Sequence, residues 1–204
     1  MKKILFATTN PHKKERFQAY FRSLGLNVLS FSDLNININI KEEGRTPEEN
    51  AKIKAMAGFK ASKIPTFAVD YGLYIDKFSD DMQPGLNIRR IHKDERAVSD
   101  EELLDHFVRE LEKVGGKSKG NWISAIALVT DNKFFSESFS GWSFFTARKS
   151  PKMTPGEPLN SIQVDPKSGK YFTDLTKKEW INLQEAREKG YIKFMKKHLK
   201  RINP

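Results

Sequence analysis

The stretch Lys3-Ile4-Leu5-Phe6-Ala7-Thr8-Thr9-Asn10-Pro11-His12-Lys13 sets the class of this fold. Its first half is a short β-type apolar run. After the polar turn, Phe17, Tyr20, Phe21 and Leu24 repeat at helical spacing, and Gly25 supplies the stop. Leu26 to Phe31 then reads as a second strand, so the chain begins β-α-β, a unit whose strands pair in parallel. A strand ending at Thr8-Thr9-Asn10 before a helix near Pro11 aims backbone N–H groups and the helix dipole at the gap between them. By geometry that is an anion site. Lys13, one turn in, can reach the same anion as a point charge, and Asn10 can hydrogen-bond phosphate or sugar oxygens. Thr9 or Asn10 is equally suited to ordinary helix capping.

Beyond this unit, Asn35-Ile36-Asn37-Ile38-Asn39-Ile40 alternates perfectly and reads as an edge strand or an extended connector. Thr46-Pro47-Glu48-Glu49 starts a helix: Thr46 caps, Pro47 suits the first turn, and Glu49 closes a capping box. Glu42 and Glu43 precede Gly44 and put carboxylates just ahead of that start, the usual way to hold a triphosphate through a divalent cation. Lys54 shares a helix face with Asn50. Ile64 to Val69 reads as a strand ending at Asp70, with Gly72 allowing a tight turn before Leu73-Tyr74-Ile75. A carboxylate at a strand tip is where open α/β sheets place their ligands. There Asp70 can ligate a metal or orient an attacking water, or simply form an Asx turn.

A helix from Ser99 with Leu103, Leu104, Phe107 and Leu111 as its stripe follows, then a loop over Gly115 to Gly120. Trp122 to Val129 and Lys133 to Thr146 read as antiparallel strands joined at Asp131-Asn132. Lys149 to Lys170 is irregular, and helices are expected from Thr176 to Arg187 and from Gly190 to Lys200. The order argues for one α/β domain over residues 1–204, a mixed sheet flanked by helices.

Composition narrows the function classes. The chain has 204 residues, 38% hydrophobic and 30% charged, which indicates a globular protein with a sizeable core. No apolar run approaches the roughly 20 residues that span a bilayer, so no membrane partner is expected. Zero cysteines exclude disulfides and thiolate metal sites and fit a cytoplasmic location. The net charge of +10 favours anionic partners. Much of the C-terminal excess, from Lys193 to Arg201, is interleaved with apolar residues at helical spacing. No nucleic-acid motif accompanies it, so nucleic acid is not the expected partner.

Taken together, the three segments resemble the inosine triphosphate pyrophosphatase family. Its pattern is a Thr/Ser-x-Asn-x-x-Lys loop, a Gly-x-Thr-x-x-Glu-Asn-Ala helix start and an Asp-Asp-Ser-Gly-Leu strand end. Thr8, Asn10 and Lys13 match the first, Gly44, Thr46, Glu49, Asn50 and Ala51 the second, and Asp70, Gly72 and Leu73 the third. Pro84-Gly85 with Arg89 is similar to the family's following loop. The resemblance implies an elongated central mixed sheet in two lobes with a cleft between them, and a homodimer. It also implies magnesium-dependent hydrolysis of dITP, ITP or XTP to monophosphate and pyrophosphate. Thr8, Thr9, Asn10, Lys13 and Lys54 would bind phosphates, Glu42 and Asp70 would hold Mg2+, and Asp70 would be the catalytic carboxylate. Tyr71, Gly72, Arg89 and Arg187 would contact the remaining substrate.

Departures from the pattern open a second reading. Val69 stands where the family has another aspartate. Gly156-Glu157-Pro158-Leu159-Asn160-Ser161 replaces the aromatic Gly-Phe-Gly-Tyr-Asp-Pro loop, and the family's Ser-His-Arg is absent near Arg187. A catalytically weakened purine-nucleotide sensor reporting to a protein partner is therefore the alternative to an active hydrolase. A basic nucleic-acid-binding domain is a third.

Overall fold

A computed structural model describes residues 1–91, 98–131 and 133–202; for His12 and residues 184–187 it describes the backbone alone. Six strands order as β2-β1-β3-β4-β5-β6. They are β1 (Lys2–Phe6), β2 (Leu26–Leu29), β3 (Thr66–Ile75), β4 (Lys117–Thr130), β5 (Lys133–Thr146) and β6 (Gln163–Val164). The expected β-α-β start is present: β1 pairs in parallel with β2 and with β3. β5 and β6 pair antiparallel. β4 and β5 are neighbours separated only by positions 131 and 132, a connection that fits nothing but an antiparallel hairpin. The sheet is mixed, as expected, with helices α1 (Pro11–Arg22), α2 (Pro47–Ser62), α3 (Asp100–Lys113) and α4 (Lys177–His198) around it.

The chain divides into two compact units. The first comprises residues 1–71, 124–139 and 188–204, and the second residues 72–123 and 140–187. In the first, strand alternation sorts the core into two layers. Ile4, Phe6, Phe67 and Val69 face Phe17 and Phe21 of α1 and Tyr191, Phe194 and Met195 of α4. Leu5, Ala7 and Ala68, from the opposite pleats, face Ala51, Ala55 and Phe59 of α2. The second unit has its own core of Leu73, Ile75, the α3 stripe, Phe145, Leu159 and Ile162.

Of the two readings of the Ile36–Ile40 alternation, the extended connector holds: it lies outside the sheet, its isoleucines packed against the α2 layer. Three sequence expectations are corrected. β3 runs unbroken through Gly72, so Asp70 lies mid-strand and no turn follows it. Lys117 to Gly120 belongs to β4. The two C-terminal helices are one, α4. Gly190 is carried inside it because a Cβ there would run into the Phe139 ring, so the helix tolerates the roughly 1 kcal/mol cost of a glycine for close packing.

Candidate active site

The loop after β1 is folded onto the start of α1. Thr8 Oγ1 accepts from Asn10 N at 3.2 Å, and Asn10 Oδ1 accepts from Lys13 N at 3.2 Å. Asn10 is therefore the helix cap, and the NH2 donors of its side chain can still serve an anionic ligand. Thr9 is exposed. No acid occupies the first turn of α1, while Lys13 and Lys14 do. Cations there oppose the helix dipole by about 0.3–1 kcal/mol each, so something else must favour them. Lys14 is held by Asp33 at 2.7 Å. Lys13 instead lies under the Tyr71 ring, its ammonium 5.3 Å from the centroid.

The second segment is an anchor for the chain that carries Glu42. Thr46 caps α2 by accepting from Glu49 N at 3.1 Å, and Glu49 Oε2 accepts from Arg45 N at 2.6 Å. The box thus reaches one residue further back than the sequence spacing suggests. Buried Asn50 accepts from Gly44 N at 2.8 Å. A Cβ on Gly44 would lie 2.6 Å from Asn50 Oδ1 and 2.7 Å from Glu49 Cβ, so only glycine fits. Glu48 accepts from Ser136 and Ser138 and is committed to tying α2 to β5.

On β3 the pleat separates neighbours. Asp70 takes the α2 face and Tyr71 the α1/α4 face. Asp70 Oδ1 stands 2.6 Å from Lys54 Nζ, and Glu42 Oε2 stands 2.8 Å from the same nitrogen. Lys54 and Asp70 side chains are only 13% and 15% exposed, so this pair is largely shielded from solvent screening, while Glu42 is 43% exposed. Lys13 belongs to the same field. Burial first, then Lys54 and Arg16, push its ammonium below the usual lysine range, and Asp70 and Glu42 partly restore it. Lys13, Glu42, Lys54, Asp70 and Tyr71 are thus brought together in the first unit.

Sequence reading overlooked a polar group behind this cluster. Tyr71 and Tyr191 of α4 pack in the same buried layer, and burial pushes both phenols up. Beside them Arg16 Nε lies 3.9 Å from Glu188 Oε1. The one available signal was the spacing of Lys13 and Arg16, which puts both on one face of α1.

In the second unit Arg89 is engaged by the protein itself. Its Nη2 donates to Asp100 Oδ1 at 2.7 Å and to the Gly156 carbonyl at 3.0 Å, while Gly156 N donates to Asp100 Oδ2 at 2.6 Å. Burial opposes the charge on Asp100, but the Gly156 amide and Arg89 outweigh it and hold the carboxyl below its ordinary range. Arg89 therefore clamps the loop that replaces the family's aromatic motif. Gly72 is buried inside β3, and the side chain of Arg187 lies outside the described residues.

Two hard-oxygen carboxylates focused on one cation fit magnesium. The described residues contain no group of three acidic or histidine side chains that could cage a metal. An ion held by Glu42 and Asp70 would complete its shell from phosphates and water, as magnesium usually does.

A family model described as the Ham1 family matches residues 4–180. A dITP/XTP pyrophosphatase of Halalkalibacterium halodurans is 30% identical over 183 residues, 88% of this chain and 90% of that one. The dITP/XTP pyrophosphatase of Thermoanaerobacter pseudethanolicus is 38% identical over 86 residues, an alignment spanning 41% of either chain. Among solved structures, a HAM1 protein from Coxiella burnetii is 20% identical with TM-score 0.79, covering 98% of this chain and 99% of its own. The Staphylococcus aureus Ham1 protein is 23% identical with TM-score 0.72, covering 93% and 100%. At those identities the structures speak for the fold; the family model, spanning most of the sequence, and the long alignment at 30% identity speak for descent, and by them the chain belongs to the Ham1 family.

Proposed function

We propose that this chain is a magnesium-dependent pyrophosphohydrolase of deaminated purine nucleoside triphosphates, dITP, ITP or XTP, releasing the monophosphate and pyrophosphate. The observation that carries this reading is the convergence of Asp70 and Glu42 on Lys54, with Lys13 in the same electrostatic field. Magnesium, when bound, would neutralise charge developing on the triphosphate. Lys13 and the N-terminus of α1 hold phosphate oxygens. Lys54, tethered between two carboxylates, keeps them apart and aimed before substrate arrives and can pass its charge to the phosphates afterwards. Asp70 orients the attacking water and draws off its proton. The names of the relatives, dITP/XTP pyrophosphatases, support the substrate class. A homodimer belongs to the same proposal, checked by light scattering at twice the chain mass.

The test is pyrophosphate release from dITP with magnesium, with ITP, XTP and the common dNTPs run in parallel. Asp70→Asn should lower turnover by about 10²–10⁴-fold, the usual worth of a positioned proton acceptor. One observation favours the sensor alternative: Val69, at the position of the family's other aspartate, is buried in the apolar layer against α1 and α4. Stoichiometric dITP binding without turnover, unchanged in Asp70→Asn, would decide for it.

A further inference from the structure

We propose that Arg16 is a further polyphosphate-binding residue of this site, held ready by the buried carboxylate of Glu188. The inference rests on the phosphate site proposed above. Lys13 and Arg16 lie one turn apart on the same face of α1. The charge of Arg16 is felt at Lys13 together with that of Lys54, so three cations crowd one region. Lys54 has two carboxylates at ion-pair distance and Lys13 has an aromatic ring over it. Among the described residues Arg16 has one carboxylate, Glu188, at 3.9 Å from Nε, too far for a hydrogen bond, and a weak ring contact, its Cζ 5.9 Å from the Phe17 centroid.

That contact is incomplete on both sides. Among the described residues, Arg16 Nε and Glu188 Oε2 are buried with no hydrogen-bond partner, and Glu188 is only 5% exposed. Native structures rarely leave such groups unpaired without a reason. A carboxylate that orients a guanidinium without fully engaging it leaves the fork free for a better anion. A phosphate offers charge-assisted bonds that planar Arg accepts well. Among the described residues, Arg16 from α1 and Tyr191 one turn along α4 face Glu188, with Tyr71 of β3 beyond Tyr191. An anion that takes Arg16 withdraws that cation from Glu188, and the carboxylate then takes up a proton.

The test uses tripolyphosphate, a probe with no nucleobase, titrated calorimetrically against the full chain. Arg16→Gln should weaken binding about tenfold, and Arg16→Lys should recover most of that loss. Glu188→Gln should bind as the parent does at pH 6 and roughly threefold more tightly at pH 8, where the parent carboxylate competes for Arg16. A purely structural Arg16 would not produce that pH-dependent split. Unchanged affinity in Arg16→Gln overturns the proposal, as does a parent without affinity for tripolyphosphate. Should Arg16→Gln fail to fold, equal affinity of Glu188→Gln and parent at both pH values overturns it alone. A parent that binds tripolyphosphate but does not hydrolyse dITP removes the proposed hydrolysis and leaves Arg16 in place.

Discussion

Glu188 shows most plainly how one side chain's surroundings set its chemistry. Burial pushes its carboxyl up to about 7, and Arg16 only partly offsets this. The folded state therefore keeps a proton that the unfolded chain releases at ordinary carboxylate pH. Stability must fall as pH rises from about 4.5 to 7 and then level off, by up to roughly 3 kcal/mol. Glu188→Gln should flatten this slope, with a melting temperature equal to the parent's at pH 4 and higher at pH 8. Equal melting curves at pH 8 would count against it. Asp33 has the opposite sign: hydrogen bonds from Lys14 and Ser30 pull it down to about 2. Its contribution is present above pH 4 and fades as pH falls toward 2, so Asp33→Asn should remove that acid limb from the stability profile. Neither shift was legible in the chain, because a glutamate among the charges of α4 looks like any solvated helix residue.

The start of α2 is where local sequence chemistry and site placement meet. Thr46, Glu49, Asn50 and Gly44 form one hydrogen-bonded corner that fixes the backbone two residues beyond Glu42. Thr46→Ala should cost about 1 kcal/mol as a lost cap. Gly44→Ala should cost about 1–3 kcal/mol, because the added methyl has nowhere to go against Asn50. It should also raise the magnesium concentration needed for half-maximal turnover, where Thr46→Ala changes it less; denaturant melts and a magnesium titration separate the two effects. This corner was largely readable, since capping spacings are local rules. β3 was not: Gly72 signalled a turn, but neighbouring strands and the bridge from Leu73 to Gly85 keep the backbone extended through it. The merged α4 has the same origin, a glycine whose local penalty is offset by packing on Phe139.

Across the whole chain, the net charge of +10 should draw a triphosphate toward the site. The value of kcat/KM for dITP should fall as ionic strength rises past physiological levels, with kcat less affected, because screening acts on encounter more than on the shielded Lys54–Asp70 pair. A kcat that falls in step with kcat/KM would contradict this. The α/β class, the parallel start, the capped helices and the family resemblance all followed from the residue order, because each depends on spacings within a few residues or on motifs in series. Which side chains meet did not follow from it. Lys54 gathers Glu42 and Asp70, and Arg16 finds Glu188, only after the pleat of β3 and the packing of α1, α2 and α4 bring distant residues to one place. Burial then sets their charges, and burial is a property of the folded chain alone.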